Sequence, residues 1–254
     1  MKRMLLVLIV VSLFLPIPAM WAQASAGDQI AEVHYMKPKA GMTSHFEAGR
    51  KRHMAWHKAQ NDAWSWMTWE ILTGERTGGY VVISPGHQWK DFDSREKFDV
   101  EDSKDAEAST AGLVDESAMS YWVIRGDLSR NPSIGNPSKY ITSARYWIDP
   151  TMVMTFTDAI KKINAGMDKV KYPAKPSRWA QLANGGDTPQ FVLQTDRASY
   201  ADMEPLSKSV DEAMAEAYGK EEGAALMASL RKSIKRLTTE MRVWRPDLSY
   251  IPGK

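Results

Sequence analysis

The sequence predicts an α+β fold made of two similar halves, and three observations lead to this prediction. They are an internal repeat, the succession of strand-like and helix-like apolar periods, and the glycine and proline residues that separate those periods. The 254 residues are 43% hydrophobic, which is enough apolar material for one large or two small cores. The chain has no cysteine, which excludes disulfide scaffolds, thiolate zinc sites and cysteine nucleophiles.

The N-terminal segment has the pattern of a secretory signal peptide. Lys2 and Arg3 precede the apolar run 4–15, and the Ala-Gln-Ala sequence at 22–24 is a small-x-small cleavage site. We expect residues 1–24 to be removed and the protein to be exported, either to a periplasm or to the medium. A retained membrane anchor is the alternative, but the run is shorter than the roughly 20 apolar residues that span a bilayer.

The mature chain is formally neutral. Of the 33 Lys and Arg residues, two lie in the signal peptide, and the remaining 31 equal the 31 Asp and Glu residues. A neutral chain lacks the basic footprint of a nucleic-acid-binding protein. We therefore expect no nucleic-acid partner, and no membrane association after cleavage.

The internal repeat defines the domain organisation. An offset of 111 relates Tyr35 to Tyr146 and Gly74 to Gly185, and it also relates 80–82 to 191–193 and Trp89 to Tyr200. The Asp-Leu-Ser sequence at 127–129 recurs at 247–249 with an offset of 120, because the second copy has a longer helical insertion. The predicted divisions are a signal peptide (1–24), a first repeat (25–130), a linker (131–138) and a second repeat (139–254).

Apolar periods and turn residues give the elements of each repeat in order. The first repeat has predicted strands at 30–36, 64–72, 80–84 and 119–125, with helices at 42–61 and from 88 onwards. The second repeat has predicted strands at 141–148, 177–183, 190–195 and 239–245, with helices at 151–170 and between 199 and 236. Both follow the order β-α-β-β-α-β, which is the ferredoxin-like arrangement.

The apolar pattern also predicts how the two repeats pack. The helix at 151–170 has an apolar stripe through Phe156, Ile160 and Ile163, so it covers one face of a sheet. The strands carry aromatic and aliphatic residues on the other face as well, and this second face needs a partner. The sequence therefore predicts two ferredoxin-like βαββαβ repeats packed sheet to sheet as a fused pseudo-dimeric α/β barrel.

This pattern resembles a known superfamily. The segment from Tyr35 to Met42, which leads to Phe46, is followed by an aromatic strand and the turn into 80–82. It resembles the dimeric α/β-barrel superfamily, particularly its NIPSNAP-like and antibiotic-biosynthesis-monooxygenase-like members, over most of the mature chain. That superfamily contains haem-degrading and cofactor-free oxygenases, peroxidases and isomerases, so the resemblance implies a barrel rather than one reaction. It assigns no catalytic residue.

The histidines supply the first candidate site. All five lie between His34 and His87, and His53 and His57 are four residues apart on the first predicted helix. They could hold a metal from one helical face, with His34 or Glu70 as a third ligand. The alternative is a structural or surface role, since the offset of 111 relates His53 to a plain polar residue, Asn164.

A second candidate site lies between the predicted sheets. Strand alternation places His34 on one face and Val33 and Tyr35 on the other, and the repeat relates His34 to Arg145. If Val33 and Tyr35 lie under the helices, His34 acts as a base in the interior while Arg145 holds an anionic group.

The last strand of each repeat completes this predicted cavity. The predicted ligand-binding residues are Tyr121, Trp147, Glu240, Arg242 and Trp244. The alternative is that Glu240, Arg145 and Arg242 form an ion network that closes the barrel. The acidic run at 99–107 is interpreted as a solvated face or an interdomain contact.

The sequence therefore predicts an exported bacterial protein that binds a small aromatic or hydrophobic molecule in a barrel cavity. If His34 and Arg145 are catalytic, its activity is oxygenase-like or isomerase-like. The alternatives are a non-catalytic ligand carrier and a structural or partner-binding module. The sequence identifies no cofactor, and it leaves a homo-oligomer open.

Overall fold

The computed structural model describes residues 29–132 and 137–253. The predicted signal peptide and the centre of the predicted linker lie outside the described residues. The first half contains four strands and two helices in the predicted order. They are β1 (Ile30–Pro38), α1 (Thr43–Ala59), β2 (Met67–Ile71), β3 (Tyr80–His87), α2 (Trp89–Thr110) and β4 (Val114–Ile124).

The second half repeats this order with one additional helix. Two short helices replace the single long α2, which is the predicted longer insertion. The elements are β5 (Tyr140–Ile148), α3 (Val153–Lys169), β6 (Ser177–Asn184), β7 (Gln190–Arg197), α4 (Val210–Tyr218), α5 (Lys220–Ser233) and β8 (Ile234–Trp244). The described residues contain eight strands and five α-helices, which confirm the predicted α+β class.

The eight strands form one antiparallel sheet that closes on itself in the order β1-β3-β2-β8-β5-β7-β6-β4. Each half contributes four neighbouring strands, and the halves join where β2 pairs with β8 and β4 pairs with β6. The prediction that the two sheets pack face to face describes only part of this arrangement. The half-sheets are also hydrogen-bonded to each other at both edges. Their inner faces meet in one cluster in which Ile141 and Trp244 contact residues such as Trp69 and Val81.

The first strand faces the opposite way from the prediction. Met36 pairs with Tyr80 in the first half, and Tyr146 pairs with Phe191 in the second. The offset is therefore 110 from Met36 to Tyr146, although it is 111 from Tyr80 to Phe191. A slip of one residue moves every side chain of a strand to the other face. Val33 and Tyr35 accordingly pack in the interior cluster rather than under the helices.

The strands β4 and β8 both begin five residues earlier than predicted, at Val114 and Ile234. Their first residues are mostly polar and exposed, so no apolar period marks them. They are still strands, because they pair with the far ends of β1 and β5.

Two helices of the first half cross at very short range. A Cβ atom on Gly49 of α1 would lie 2.1 Å from the Ser109 carbonyl oxygen of α2. Only glycine permits this approach. The close contact brings the acidic residues of α2 within reach of α1.

Each half also packs its last residues against the first helix of the other half. Leu128, which follows β4, is fully buried with Phe156 of α3, and Leu248, which follows β8, is fully buried with Phe46 of α1. Beside each leucine an aspartate pairs with a helix lysine: Asp127 with Lys161 at 3.1 Å and Asp247 with Lys51 at 3.0 Å. The two halves are therefore held together by a reciprocal exchange, in which the residues after the last strand of each half pack on the first helix of the other half. Within the described residues, none of the helices is both long enough and apolar enough to cross a membrane.

Candidate metal centre

Two histidines of α1 are buried between the helices and the outer face of the sheet. His57 is fully buried and His53 is 4% exposed. The Nδ1 atom of His57 lies 2.8 Å from Asp62 Oδ2, and the Nδ1 atom of His53 lies 2.8 Å from Asp105 Oδ2. An ionised carboxylate only accepts hydrogen bonds, so each Nδ1 carries the hydrogen and donates it. Each Nε2 is left with a free lone pair.

The two Nε2 atoms face each other and a third acceptor. They are 3.2 Å apart, and each lies 3.3 Å from Oδ1 of Asp102 on α2. This Asp102 oxygen is buried and has no hydrogen-bond partner. Three lone pairs thus converge without a hydrogen between them, which is unfavourable unless a cation lies there.

The two Nε2 atoms and Asp102 Oδ1 form a triangle, and this triangle has the dimensions of a metal site. A tetrahedral ion with bonds of about 2.0–2.1 Å to nitrogen and oxygen holds its ligands about 3.3 Å apart. The hydrogen bonds at the two Nδ1 atoms fix the tautomer and orientation of each imidazole, as in carboxylate–histidine–metal arrangements. His53, His57 and Asp102 therefore form the geometry of a three-ligand site with at least one open position.

Asp62 is the rigid support of His57. Its carboxylate accepts two bonds from the Arg95 guanidinium at 2.6 and 2.8 Å and one from the Trp66 indole at 2.9 Å. Burial opposes the charged form, but the hydrogen bonds from His57 and Arg95 outweigh it and hold the pKa of Asp62 well below its usual range. Asp62 stays ionised and keeps His57 in place.

The charges around the triangle are unbalanced toward the negative. This region contains four carboxylates, those of Asp62, Asp99, Asp102 and Asp105, but only two guanidinium groups, those of Arg50 and Arg95. Burial raises the pKa of Asp102, and His57 and Arg95 oppose this effect. A divalent cation would neutralise the excess of two negative charges.

Burial and the nearby Arg50 charge lower the pKa of His53 to about 2, so its imidazole is neutral. Burial also lowers the pKa of Arg50 to about 10. Within the described part of the chain, Arg50 has no carboxylate within 4.0 Å, and its hydrogen bond goes to Met54 Sδ at 3.4 Å. It is a buried cation without an ion-pair partner.

Aromatic rings enclose His57. The Trp66 and Trp56 rings lie 5.2 Å from it, Tyr250 is stacked at 6.0 Å and Phe98 at 6.2 Å. They exclude water from the inner side of the triangle. Trp66, from the predicted aromatic strand at 64–72, thus contributes one wall of this centre.

The residues proposed from sequence as third ligands lie elsewhere. Glu70 accepts a bond from Arg245 at 2.9 Å. His34 lies on the same side of the sheet as the triangle, but its Nε2 contacts Glu32 at 2.5 Å and its ring packs against Trp66.

The predicted pair of His34 and Arg145 is not brought together. His34 faces the helices, whereas Arg145 faces the interior with its guanidinium over the Trp122 ring at 5.7 Å. The cause is the one-residue slip in β1, which makes Ala144 rather than Arg145 the counterpart of His34. Of the predicted ligand-binding residues, Tyr121 lies on the outer face against Trp89 and Phe92. Arg145, Trp147, Glu240, Arg242 and Trp244 share the interior face of β5 and β8.

A cleft of about 370 Å³ lies beside β5 and β8 and is not aromatic. Its walls include several threonines, and none of the predicted aromatic residues lines it. The lining residues are Thr73, Thr142, Ser143, Ala144, Leu193, Thr195, Arg197, Thr239, Glu240 and Met241.

Sequence reasoning missed Asp102, Asp105, Asp62 and Arg95. The acidic run is predicted to be a solvated face or an interdomain contact, yet Arg95, Asp99, Asp102 and Asp105 recur every three or four residues on α2. That spacing places them on one helical face and could have directed attention to α1.

Comparisons with known proteins show the fold. The structure is similar to a candidate monooxygenase from Lactobacillus acidophilus (8% identity, 89% of this chain and 97% of that chain, TM-score 0.54). It is also similar to an anthrone oxidase-like protein (9%, 89% and 94%, TM-score 0.55) and to a chlorite dismutase from Candidatus Nitrospira defluvii (9%, 86% and 92%, TM-score 0.50). No family model and no curated protein matches the sequence. At these identities the likeness extends to the ferredoxin-like α/β fold alone.

Proposed function

We propose that this protein binds one divalent transition-metal ion at His53, His57 and Asp102 and is a metal-dependent enzyme. The convergence of three hydrogen-free acceptors within 3.3 Å of one another carries the proposal. The orphaned Asp102 oxygen fits a metal ligand, because a structural carboxylate at this depth would have a donor.

The ligand types limit the choice of metal ion. Two imidazoles and one carboxylate suit Zn²⁺ or Fe²⁺, and a two-histidine, one-carboxylate face with open positions is typical of non-haem iron oxygenases. The fold-level likeness to proteins named as a monooxygenase and an anthrone oxidase supports the oxygenase-like alternative. The bound ion would supply Lewis acidity and, as iron, a site for oxygen. The chain holds both imidazoles in position and shields them with aromatic rings.

Two further inferences concern the whole chain. We infer that the halves are fused copies of one ferredoxin-like unit, which would make a pseudo-dimer of the dimeric α/β-barrel kind from a single chain. The NIPSNAP-like assignment stays a prediction. Export also stays a proposal, supported by the sequence at 1–24, and mass spectrometry of the protein from its host would test it by locating the mature N-terminus at Ser25.

The test is metal binding by variants of the triangle. Metal-stripped protein is titrated with Zn²⁺, anaerobic Fe²⁺ and Co²⁺, and the visible spectrum of Co²⁺ reports the coordination geometry. His57→Ala and Asp102→Asn should each weaken binding 100-fold or more. His45→Ala is the matched control, because His45 is an exposed histidine on the same helix and should leave binding unchanged.

A measurement of turnover distinguishes a metal-dependent enzyme from a non-catalytic metal-binding protein. Oxygen consumption by the Fe²⁺-loaded protein, with ascorbate as reductant, should fall to background in Asp102→Asn. Tight 1:1 metal binding without turnover would favour a non-catalytic metal-binding protein. Weak binding that His45→Ala reduces as much as His57→Ala would overturn the centre itself.

A further inference from the structure

A second group of buried charges lies inside the barrel, on the other side of the sheet from the metal triangle. The Glu240 carboxylate accepts bonds from Arg76 Nη2 at 2.7 Å and from Arg242 Nε at 2.6 Å. Arg242 is 3% exposed and also donates to Ser143 Oγ at 3.3 Å. One carboxylate therefore serves two guanidinium groups, and one positive charge is left over.

Arg145 adds a second uncompensated charge. No carboxylate of the described residues lies within 4.0 Å of it, and its guanidinium rests on the Trp122 ring. Burial, Arg76 and Arg242 lower the pKa of Arg145 to about 10. An ion network that merely closes the barrel accounts for Glu240, Arg76 and Arg242, but it leaves Arg145 without a partner.

Two further cations at this end of the barrel have carboxylate partners. Arg236 pairs with Glu75 at 3.0 Å, and Lys37 lies 3.8 Å from Glu116. The positive excess therefore comes from Arg145 and from the two guanidinium groups that share Glu240, and Arg145 is partly exposed.

Aromatic rings hold the guanidinium groups. The Arg76 guanidinium lies 4.8 Å from the centroid of Tyr35, and that of Arg236 lies 4.5 Å from the centroid of Trp147. A guanidinium stacked on a ring keeps its N–H donors in the plane, where they can grip a carboxylate with two parallel bonds. The rings also offer an apolar surface for the rest of such a ligand.

We propose that this end of the barrel interior binds a small aromatic carboxylate, with Arg145 as its bidentate partner and Trp122 and Trp147 contacting its ring. The ligand neutralises part of the positive excess, and its ring replaces water on the aromatic walls. The proposal is independent of the metal centre, since the two sites use different residues on opposite faces of the sheet.

The test uses benzoate as the probe, with benzyl alcohol and acetate as matched controls. Benzyl alcohol keeps the ring without the charge, and acetate keeps the charge without the ring. Benzoate should bind in calorimetry and raise the melting temperature, and both controls should bind at least tenfold more weakly. Arg145→Gln should weaken benzoate binding tenfold or more. Arg145→Lys should have an intermediate effect, because it keeps the charge but loses the two parallel N–H donors of the guanidinium.

Two controls keep the outcome clear. Arg231→Gln removes an exposed arginine from α5 and should bind benzoate as the wild type does. His57→Ala should also bind benzoate normally, so failure of the metal centre would not affect this result. Circular dichroism confirms that Arg145→Gln is folded. The proposal is overturned if the wild type does not bind benzoate, if benzyl alcohol or acetate binds equally well, or if folded Arg145→Gln binds as tightly as the wild type.

Discussion

The two halves share one framework but cover their sheets with opposite chemistry. Helices α1 and α3 both have 17 residues, and their equivalent phenylalanines, Phe46 and Phe156, are both fully buried. The same offset of 110 relates the polar positions of α1 to apolar ones in α3. Arg50, His53 and His57 correspond to Ile160, Ile163 and Met167.

This difference shows what the fold requires and what it does not. The second half demonstrates that aliphatic residues satisfy the helix–sheet interface. Buried charges and imidazoles at the same places are unfavourable for folding unless each is paired. Because these residues occur in one half only, they indicate a functional role rather than a requirement of the fold.

The largest expected effect comes from removing the buried carboxylate. Asp62→Ala should lower the free energy of unfolding by about 3–5 kcal/mol, because it leaves the buried donors of His57 and Trp66 without an acceptor and Arg95 with only the more exposed Asp99 as an ion-pair partner. Urea denaturation measures the change. Asp93→Ala, on the exposed face of α2, should stay within about 0.5 kcal/mol of the wild type. Equal effects at the two positions would contradict a polar core in the first half.

The reverse change imposes the polar pattern on the second half. Ile163→His should lower the free energy of unfolding by about 2–4 kcal/mol, because the imidazole would replace an apolar contact and find no carboxylate partner. Thermal and urea denaturation would measure it against Met154→His, at an exposed position on the same helix. If α3 tolerates the buried histidine, the two interfaces are less different than the structure indicates.

Placing an apolar residue of α3 at the equivalent position of α1 should instead raise the free energy of unfolding. Arg50→Ile matches Ile160, and it should raise the free energy of unfolding by about 1–3 kcal/mol because it removes a buried cation without an ion-pair partner. It should also tighten divalent-cation binding, since a positive charge near His53 is lost. Lys58→Ile, an exposed change on α1, should do neither. A loss of stability in Arg50→Ile would mean that its alkyl chain packs better than isoleucine.

The smallest effect concerns a feature that the halves share. Hydrogen bonds from Arg125 and Arg245 lower the pKa values of Asp127 and Asp247 to about 2. A lowered pKa stabilises the folded state above the usual value of about 3.9 and loses that effect as pH falls toward 2. Both side chains are about two-fifths exposed, so screening keeps each contribution below about 1 kcal/mol. Asp127→Asn and Asp247→Asn should flatten the acid limb of the pH–stability curve equally, and unequal slopes would show that the exchange is asymmetric.

Much of the fold could be predicted from the sequence, because strand and helix periods are local. The order of all elements and the ends of α1 and α3 follow from apolar spacing and turn residues. The orientation of β1 did not follow, because matching Tyr35 to Tyr146 aligned two tyrosines on opposite faces. A sequence has no local signal for a shift of one residue between a strand and its helix.

The candidate site was predicted only in part. His53 and His57 could be found from their spacing on one helix. Asp102 has a regular spacing with its neighbours on α2, but its contact with α1 has no signal in the sequence, because that contact depends on the close approach of Gly49 and Ser109. Asp62 follows α1 in a loop, and its burial becomes apparent only when Arg95 and Trp66 are placed around it.

The reciprocal exchange would set the order in which the proposed metal centre is completed. Its ligands lie between His53 and Asp102, yet the Tyr250 hydroxyl donates to the Asp62 carbonyl oxygen at 2.7 Å, and Leu248 accepts from Thr68. During synthesis the ligands leave the ribosome well before these closing residues. The first half would then wait, with His57 lacking the stacked Tyr250 ring, until residues 248–250 arrive. Binding of the proposed metal ion would thereby be coupled to the completion of the second half, and an incomplete chain would present His57 without the Tyr250 side of its aromatic cover.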